Sequence, residues 1–266
     1  TNDVRAATAC NHSATHLLHS ALREVLGEHV AQQGSSVDST RLRFDFSHSQ
    51  AVTLEQQRAV EQRVNQAIRT NIATQTEVMG MESAQQRGAV ALFGEKYGDE
   101  VRVLSIAGDF SVELCGGTHV ARSGDIGLFR ISAETSVASG VRRIEAVTGA
   151  AAEALCDENQ DLVRQLAGIA GSDRSRLAEK ISKLAADAKQ QQRDIAQLKA
   201  QLAGGAGGDL LSNAIDVAGV KLLALVVPGA DSKSLRGVAD KVRDQIGSGL
   251  FVLAAEQDGR AALVAG

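Results

Sequence analysis

Aromatic side chains are scarce in this chain: Phe, Tyr and Trp together make up 3% of it, Trp is missing altogether, and Pro228 is the only proline. That disfavours a β-sandwich built on turns and aromatic core plugs, and it favours helices packed with Ala, Leu and Val. Long apolar runs are missing too. The longest, Leu222–Val227, is far short of the roughly 20 residues that a membrane-spanning helix needs, so no membrane partner is expected. The three cysteines, Cys10, Cys115 and Cys156, are odd in number and scattered, which is no disulfide framework and points to a reducing, cytoplasmic setting. Excess positive charge is the last absence: 28 Lys and Arg face 32 Asp and Glu, a net charge of −4. Any contact with nucleic acid must then rest on local patches.

What remains is an ordinary globular composition, 44% hydrophobic and 23% charged over 266 residues, long enough for two domains and a connector. The opening Thr1-Asn-Asp-Val-Arg5 has neither an initiator Met nor an apolar signal core, so the chain reads as an internal piece of something longer.

Hydrophobic periodicity divides it into three. Over 1–149 helix and strand patterns mix into an α+β domain. Asn11 is placed to cap a helix whose apolar positions Ala14, Leu17, Leu18, Ala21, Leu22 and Val25 follow the 3.6-residue period up to Gly27. A strand at Leu42–Phe46, a helix over Thr53–Ile72 and a shorter helix near Ser83–Leu92 follow. Strand-like runs then fall at Glu100–Ile106, Phe110–Leu114, Gly127–Ala133 and Val141–Thr148. Residues 150–203 are purely helical, and Leu177, Ile181, Leu184, Ala188, Gln191, Ile195, Leu198 and Leu202 alternate spacings of four and three. That is a heptad seam, suited to a helical hairpin or a short coiled coil. Gly204–Gly208 reads as a hinge. Residues 210–266 read as strand, helix, strand, strand: Ile215–Val227, Ser232–Ile246, Leu250–Ala255 and Arg260–Val264. An α/β unit this small is marginal alone and looks truncated.

The chemistry lies in His12-Ser-Ala-Thr-His16 on the first helix. At about 100° per residue, His16 sits some 40° round from His12 and His19 about 20° the other way, so one stripe carries three imidazoles. The stripe through Leu17, Leu18, Ala21 and Val25 lies opposite and pins the helix to a core. Alone, an i, i+4 histidine pair is weak, since a polar helix face explains it equally. Cys115-Gly-Gly-Thr-His119 raises its weight: Cys115 leaves the end of a strand and two glycines turn the chain to bring His119 back. His12, His16, Cys115 and His119 then form a three-His, one-Cys set suited to one Zn²⁺. A zincin protease is excluded, because Ser13 stands where that motif has its Glu base. Four protein ligands normally signal a closed structural site, whereas hydrolytic zinc keeps one position open.

The run Asn11-His-Ser-Ala-Thr-His-Leu-Leu-His19 together with Cys115-Gly-Gly-Thr-His119, Leu42-Arg-Phe-Asp-Phe46, Ala91-Leu-Phe-Gly-Glu-Lys96, Gly124-Asp-Ile-Gly-Leu-Phe-Arg130 and Gly140-Val-Arg-Arg-Ile-Glu-Ala-Val-Thr-Gly149 resembles the bacterial alanyl-tRNA synthetases. The match is to their editing domain, the C-terminal helical segment and the start of the terminal domain. The resemblance implies a zinc-dependent hydrolase that removes serine or glycine from mischarged alanine tRNA. The ATP-using aminoacylation domain is absent, so no ligation by this piece is expected. A pocket sized for alanine cannot strongly reject glycine or serine, so a second sieve hydrolyses what the first admits.

By its place in the motif Thr15 is nominated to bind the serine hydroxyl, with Gln32, after the first helix, as a second candidate equally readable as a loop residue. The metal either activates water or holds the substrate's amino group, and the latter suits four ligands better. Arg122, Arg130, Arg142 and Arg143 are the candidate RNA patch for the tRNA acceptor end, although Arg142 and Arg143 point to opposite faces of a strand. Glu113 either orients a ligand or water or makes a cross-strand ion pair. His19 reads as a packing or supporting residue, and His29 and His48 as surface residues. Phe44, Phe46, Phe93 and Tyr97 are the few aromatics that could stack on the terminal adenosine. Weak self-association through 177–202 and the C-terminal unit, or a monomer, is expected. The rival readings are a non-catalytic, zinc-stabilised module for tRNA binding and dimerisation, and a threonyl-tRNA synthetase type of editing domain.

Overall fold

A computed structural model describes residues 2–90, 98–205, 210–228, 230, 232–257 and 259–266. The chain divides into two compact units, Thr1–Arg164 and Gln165–Gly266, and both helices and sheets are present, an α+β architecture.

Helix α1 (Asn2–Leu26) begins earlier than its apolar pattern suggests. Nothing in Asp3–Ala9 breaks a helix, so the chain stays helical past Asn11, which is not a cap. Its buried amide instead donates to the Asp38 carbonyl at 2.9 Å and accepts from Thr148 Oγ1 at 2.7 Å. Gly27, at φ +117°, takes a backbone conformation that a side chain resists, and the helix ends before it.

After α1 come β1 (Gln32–Val37), β2 (Leu42–Ser47) and α2 (Leu54–Arg69), the last opened by a capping box between Thr53 and Gln56. Strand β3 (Gln75–Gly80) and a short α3 (Met81–Gln86) follow. The helix expected at 83–92 is therefore earlier and shorter, and residues 91–97 lie outside those described. Strands β4 (Glu100–Ile106), β5 (Ser111–Leu114), β6 (Phe129–Ala138) and β7 (Val141–Thr148) lead into α4 (Gly149–Ala170).

Two antiparallel sheets result, ordered β1-β2-β7-β6 and β3-β4-β5. Helix α1 presses Leu17, Leu18 and Leu22 onto Phe44 and Phe46 of β2, Ile144 of β7 and Val60 and Val64 of α2, all fully buried. Each such side chain stabilises the fold by about 1.5–3 kcal/mol, which makes α1 a rigid shelf for whatever its opposite face carries.

In the second unit Gly171, at φ +58°, interrupts the helical run, and α5 (Leu177–Gly205) starts afresh. Its seam residues Ile181, Leu184, Ile195 and Leu198 are exposed. Gly204 and Gly205 of the expected hinge close α5, and 206–209 lie outside the described residues. The run expected as one strand is a hairpin, β8 (Ile215–Val217) and β9 (Val220–Val226), because Ala218 and Gly219 both take positive φ. Helix α6 (Ser232–Ile246), β10 (Gly249–Gln257) and β11 (Arg260–Ala265) complete a sheet ordered β11-β10-β9-β8, with β9 and β10 parallel. Leu235, Val238, Val242 and Ile246 of α6 share a small core with Leu223, Phe251 and Leu253.

Candidate metal centre and cleft

The outer face of α1 carries His12 and His16, with ring centroids 5.2 Å apart. The His119 ring lies 4.4 Å from the first and 5.1 Å from the second. Cys115, just past β5, sets its Sγ 3.7 Å from His12 Nε2 and 3.3 Å from His119 Nε2. The four donor atoms all lie within 4.8 Å of one another. Zinc with three imidazoles and a thiolate, at bond lengths of about 2.0–2.3 Å, spaces neighbouring donors about 3.3–3.6 Å apart. The Cys–His spacings straddle that range.

The unbonded nitrogens make the same point. His16 sets its Nδ1 against Glu113 Oε2 at 2.5 Å, and its buried Nε2 has no hydrogen-bond partner among the described residues. His119 sets its Nδ1 against Ser13 Oγ at 3.3 Å, which turns Nε2 towards Cys115. Metal-binding histidines are held in this way, one nitrogen on a protein partner and the other left for the ion. The set fits a tetrahedral zinc ion.

Electrostatics agree. Burial pushes the Cys115 thiol up, but hydrogen bonds with His119 and His12 and the nearby charge of His16 outweigh it and hold the thiol down at about 3, which favours the thiolate. Burial would lower the His16 imidazole, yet the Glu113 carboxylate and the Cys115 sulfur raise it. Glu113, which burial alone would raise, is held well below the usual carboxylate range by His16 and His19.

The turn between Cys115 and His119 needs glycine. A Cβ on Gly117 would fall 2.2 Å from His12 Cε1, whereas one on Gly116 would meet nothing. Arg102 of β4 donates to the Gly117 carbonyl at 2.7 Å and clamps the turn.

Beside the donors opens a cleft of about 490 Å³, lined among others by Thr8, Thr15, Gln32, Ser35, Cys115 and Gly116. Thr15 and Gln32 thus share one wall system with the donor set. Gln32 belongs to β1 rather than a loop, and its position there depends on a bulge. Gln32 pairs with Phe46 while Gly34 pairs with Asp45, leaving Gln33 as an extra residue. The bulge puts Gln32 on the cleft side with Ser35 and Val37, where strict alternation would turn it away. Thr15 Oγ1 donates to the Asn11 carbonyl at 2.9 Å, so only its lone pairs are left for a ligand.

Residues 101–145 match the family described as the threonyl and alanyl tRNA synthetase second additional domain. The whole chain is 54% identical over 263 residues to an alanine–tRNA ligase of Saccharophagus degradans, covering 99% of this chain and 30% of that protein. Relatives of the same name from Pseudomonas entomophila and Stenotrophomonas maltophilia are each 52% identical, over 264 and 262 residues. The chain belongs to the alanine–tRNA ligase family. It spans about 30% of the length of these relatives.

Within that family frame, the four candidate arginines are each engaged inside the protein. Arg142 pairs bidentately with Glu134 at 2.6 and 2.7 Å, and Arg143 with Asp45 at the same distances. Arg130 pairs with Glu61 at 2.9 Å, and Arg122 bonds Asn71. Only N–H groups left over from these bonds are available to phosphate. Phe44 and Phe46 are fully buried and cannot stack on a base, and Phe93 and Tyr97 lie outside the described residues. His29 and His48, taken as separate surface residues, bond each other at 2.9 Å. Nothing in the sequence pattern marks Arg102, and Ser13 reads there only as the residue in place of a zincin's Glu base. Ser13 carries a usable signal, since its hydroxyl follows His12 directly and lies one helical turn before His16.

Proposed function

We propose that this chain is the editing part of an alanine–tRNA ligase, acting on tRNA(Ala) mischarged with serine or glycine and hydrolysing the ester at its acceptor end. The observation that carries the reading is the cleft in which Thr15 and Gln32 stand beside the donors His12, His16, Cys115 and His119. A cleft of about 490 Å³ suits a small aminoacyl group with its ribose.

In the reaction water adds to the acyl carbon, the ester C–O bond breaks, the ribose oxygen takes one proton to regain its hydroxyl, and the amino acid leaves as its carboxylate with the second proton released to solvent. Thr15, already donating to Asn11, accepts a hydrogen bond from the serine hydroxyl. Gln32, which also lines the cleft, offers both a donor and an acceptor. The three imidazoles and the Cys115 thiolate would hold the metal, which would supply a Lewis acid beside the cleft for the substrate's amino group. Arg122, Arg130 and one of Arg142 and Arg143, which face opposite sides of their strand, meet the acceptor stem through their spare N–H groups. The setting is cytoplasmic, and self-association is weak.

The test incubates the zinc-loaded chain with seryl-tRNA(Ala) and follows serine release. Release well above a folded Cys115→Ala control supports editing, and release equal to that control overturns it. A second reading, a non-catalytic zinc-stabilised tRNA-binding module, draws on the four-donor set, which leaves a tetrahedral ion no open position.

A further inference from the structure

Glu113 stands at the end of β5 with its side chain 3% exposed, and it joins two histidines of α1 rather than one. Its Oε2 lies 2.5 Å from His16 Nδ1 and its Oε1 lies 2.9 Å from His19 Nδ1. A carboxylate only accepts, so each ring must present its proton at Nδ1. Each Nε2 is then the ring atom left free of Glu113. For His16 that nitrogen belongs to the donor cluster. For His19 it is buried with no hydrogen-bond partner among the described residues, and the Phe44 ring centroid lies 5.4 Å from its own.

His19 is not one of the clustered donors and does not line the cleft, yet it is 3% exposed and spends its one hydrogen bond on Glu113. An apolar residue would fill a core position at lower cost. A buried carboxylate bonded at one oxygen alone would keep the other unsatisfied and its plane free to turn. Two donors at two oxygens fix the plane, and the fixed plane fixes the His16 ring.

We propose that His19 and Glu113 form a buried positioning pair that locks His16 in the tautomer whose Nε2 is available to zinc, and so sets how tightly the site holds its metal. His19 acts through Glu113 and touches neither metal nor substrate. The inference rests on the reading of the four donors as a zinc site.

Zinc affinity of the full 266-residue chain, measured by competition with a chromophoric chelator, tests it on Glu113→Gln, His19→Leu and His19→Asn. Glutamine sets an N–H₂ group against one of the two rings, and leucine removes the donor. The first two variants should bind zinc about 10–100-fold more weakly, whereas asparagine, whose amide nitrogen stands near the place of Nδ1, should recover most of the loss. Glu113→Gln and His19→Leu variants that fold and bind within about twofold of the parent overturn the proposal. Should either variant fail to fold, ¹⁵N spectra of the metal-free parent still decide: protons on Nδ1 of both His16 and His19 support the lock, and a His16 ring protonated at Nε2 alone overturns it. If the parent itself takes up no zinc, the metal-site reading fails, and these same metal-free spectra still judge the tautomer lock.

Discussion

The guanidinium of Arg102 donates to the Gly117 carbonyl at 2.7 Å, tying the middle of β4 to the turn that carries Cys115 and His119. Two of the four donors therefore depend on a residue from a neighbouring strand. Arg102→Leu should cost about 1.5–3 kcal/mol, the range for a hydrogen bond to a charged group, and should weaken zinc binding. Thermal unfolding and a chelator competition read the two effects, and an unchanged zinc affinity would count against the clamp.

Gly116 and Gly117 should respond differently to the same change. A Cβ on Gly117 meets His12 at 2.2 Å, and one on Gly116 meets nothing within 4 Å. Gly117→Ala should push His12 aside and destabilise the site by about 1–3 kcal/mol, while Gly116→Ala leaves zinc content as it was. Equal zinc loss in the two variants would contradict this geometry.

Ser13 Oγ serves two groups, standing 3.3 Å from His119 Nδ1 and accepting from the Val120 backbone N–H at 3.1 Å. Ser13→Ala leaves the buried N–H unpaired and frees the His119 ring. A stability loss of about 1–3 kcal/mol is expected, together with weaker metal binding. Denaturant unfolding measures the first, and a loss under half a kilocalorie would argue that neither bond matters.

Thr15→Val keeps shape and removes the lone pairs facing the cleft. Serine release from seryl-tRNA(Ala) should fall about two- to thirteenfold, matching a hydrogen bond of about 0.5–1.5 kcal/mol, while glycine release and zinc content stay level. An equal fall for both esters would place Thr15 in packing rather than in recognition.

Much of this was legible from residue order because periodicity survives in it. The strands β4 and β7 and the helix α2 announce themselves through regular alternation or a 3.6-residue period, and the burial pattern of β2 alternates without a break. Strands β1 and β3 do not, since Gln32-Gln-Gly-Ser-Ser-Val37 and Gln75-Thr-Glu-Val-Met-Gly80 are largely polar and hold no fully buried residue, so pairing rather than burial defines them. Asn11 misled because its capping chemistry is spent on Asp38 and Thr148, partners distant in sequence. The donor set showed through its two four-residue spacings. Its supports, Arg102 from another strand and Glu113 shared by two histidines, depend on three-dimensional neighbours that no spacing reveals.

Zinc content per chain is the most direct test of the metal centre on which the account stands. Metal analysis of the purified chain after dialysis against zinc-free buffer should find one zinc per chain, and the His12→Ala variant should lose most of it while staying folded. A parent chain that retains no zinc, or a His12→Ala variant that retains as much as the parent, would contradict the account.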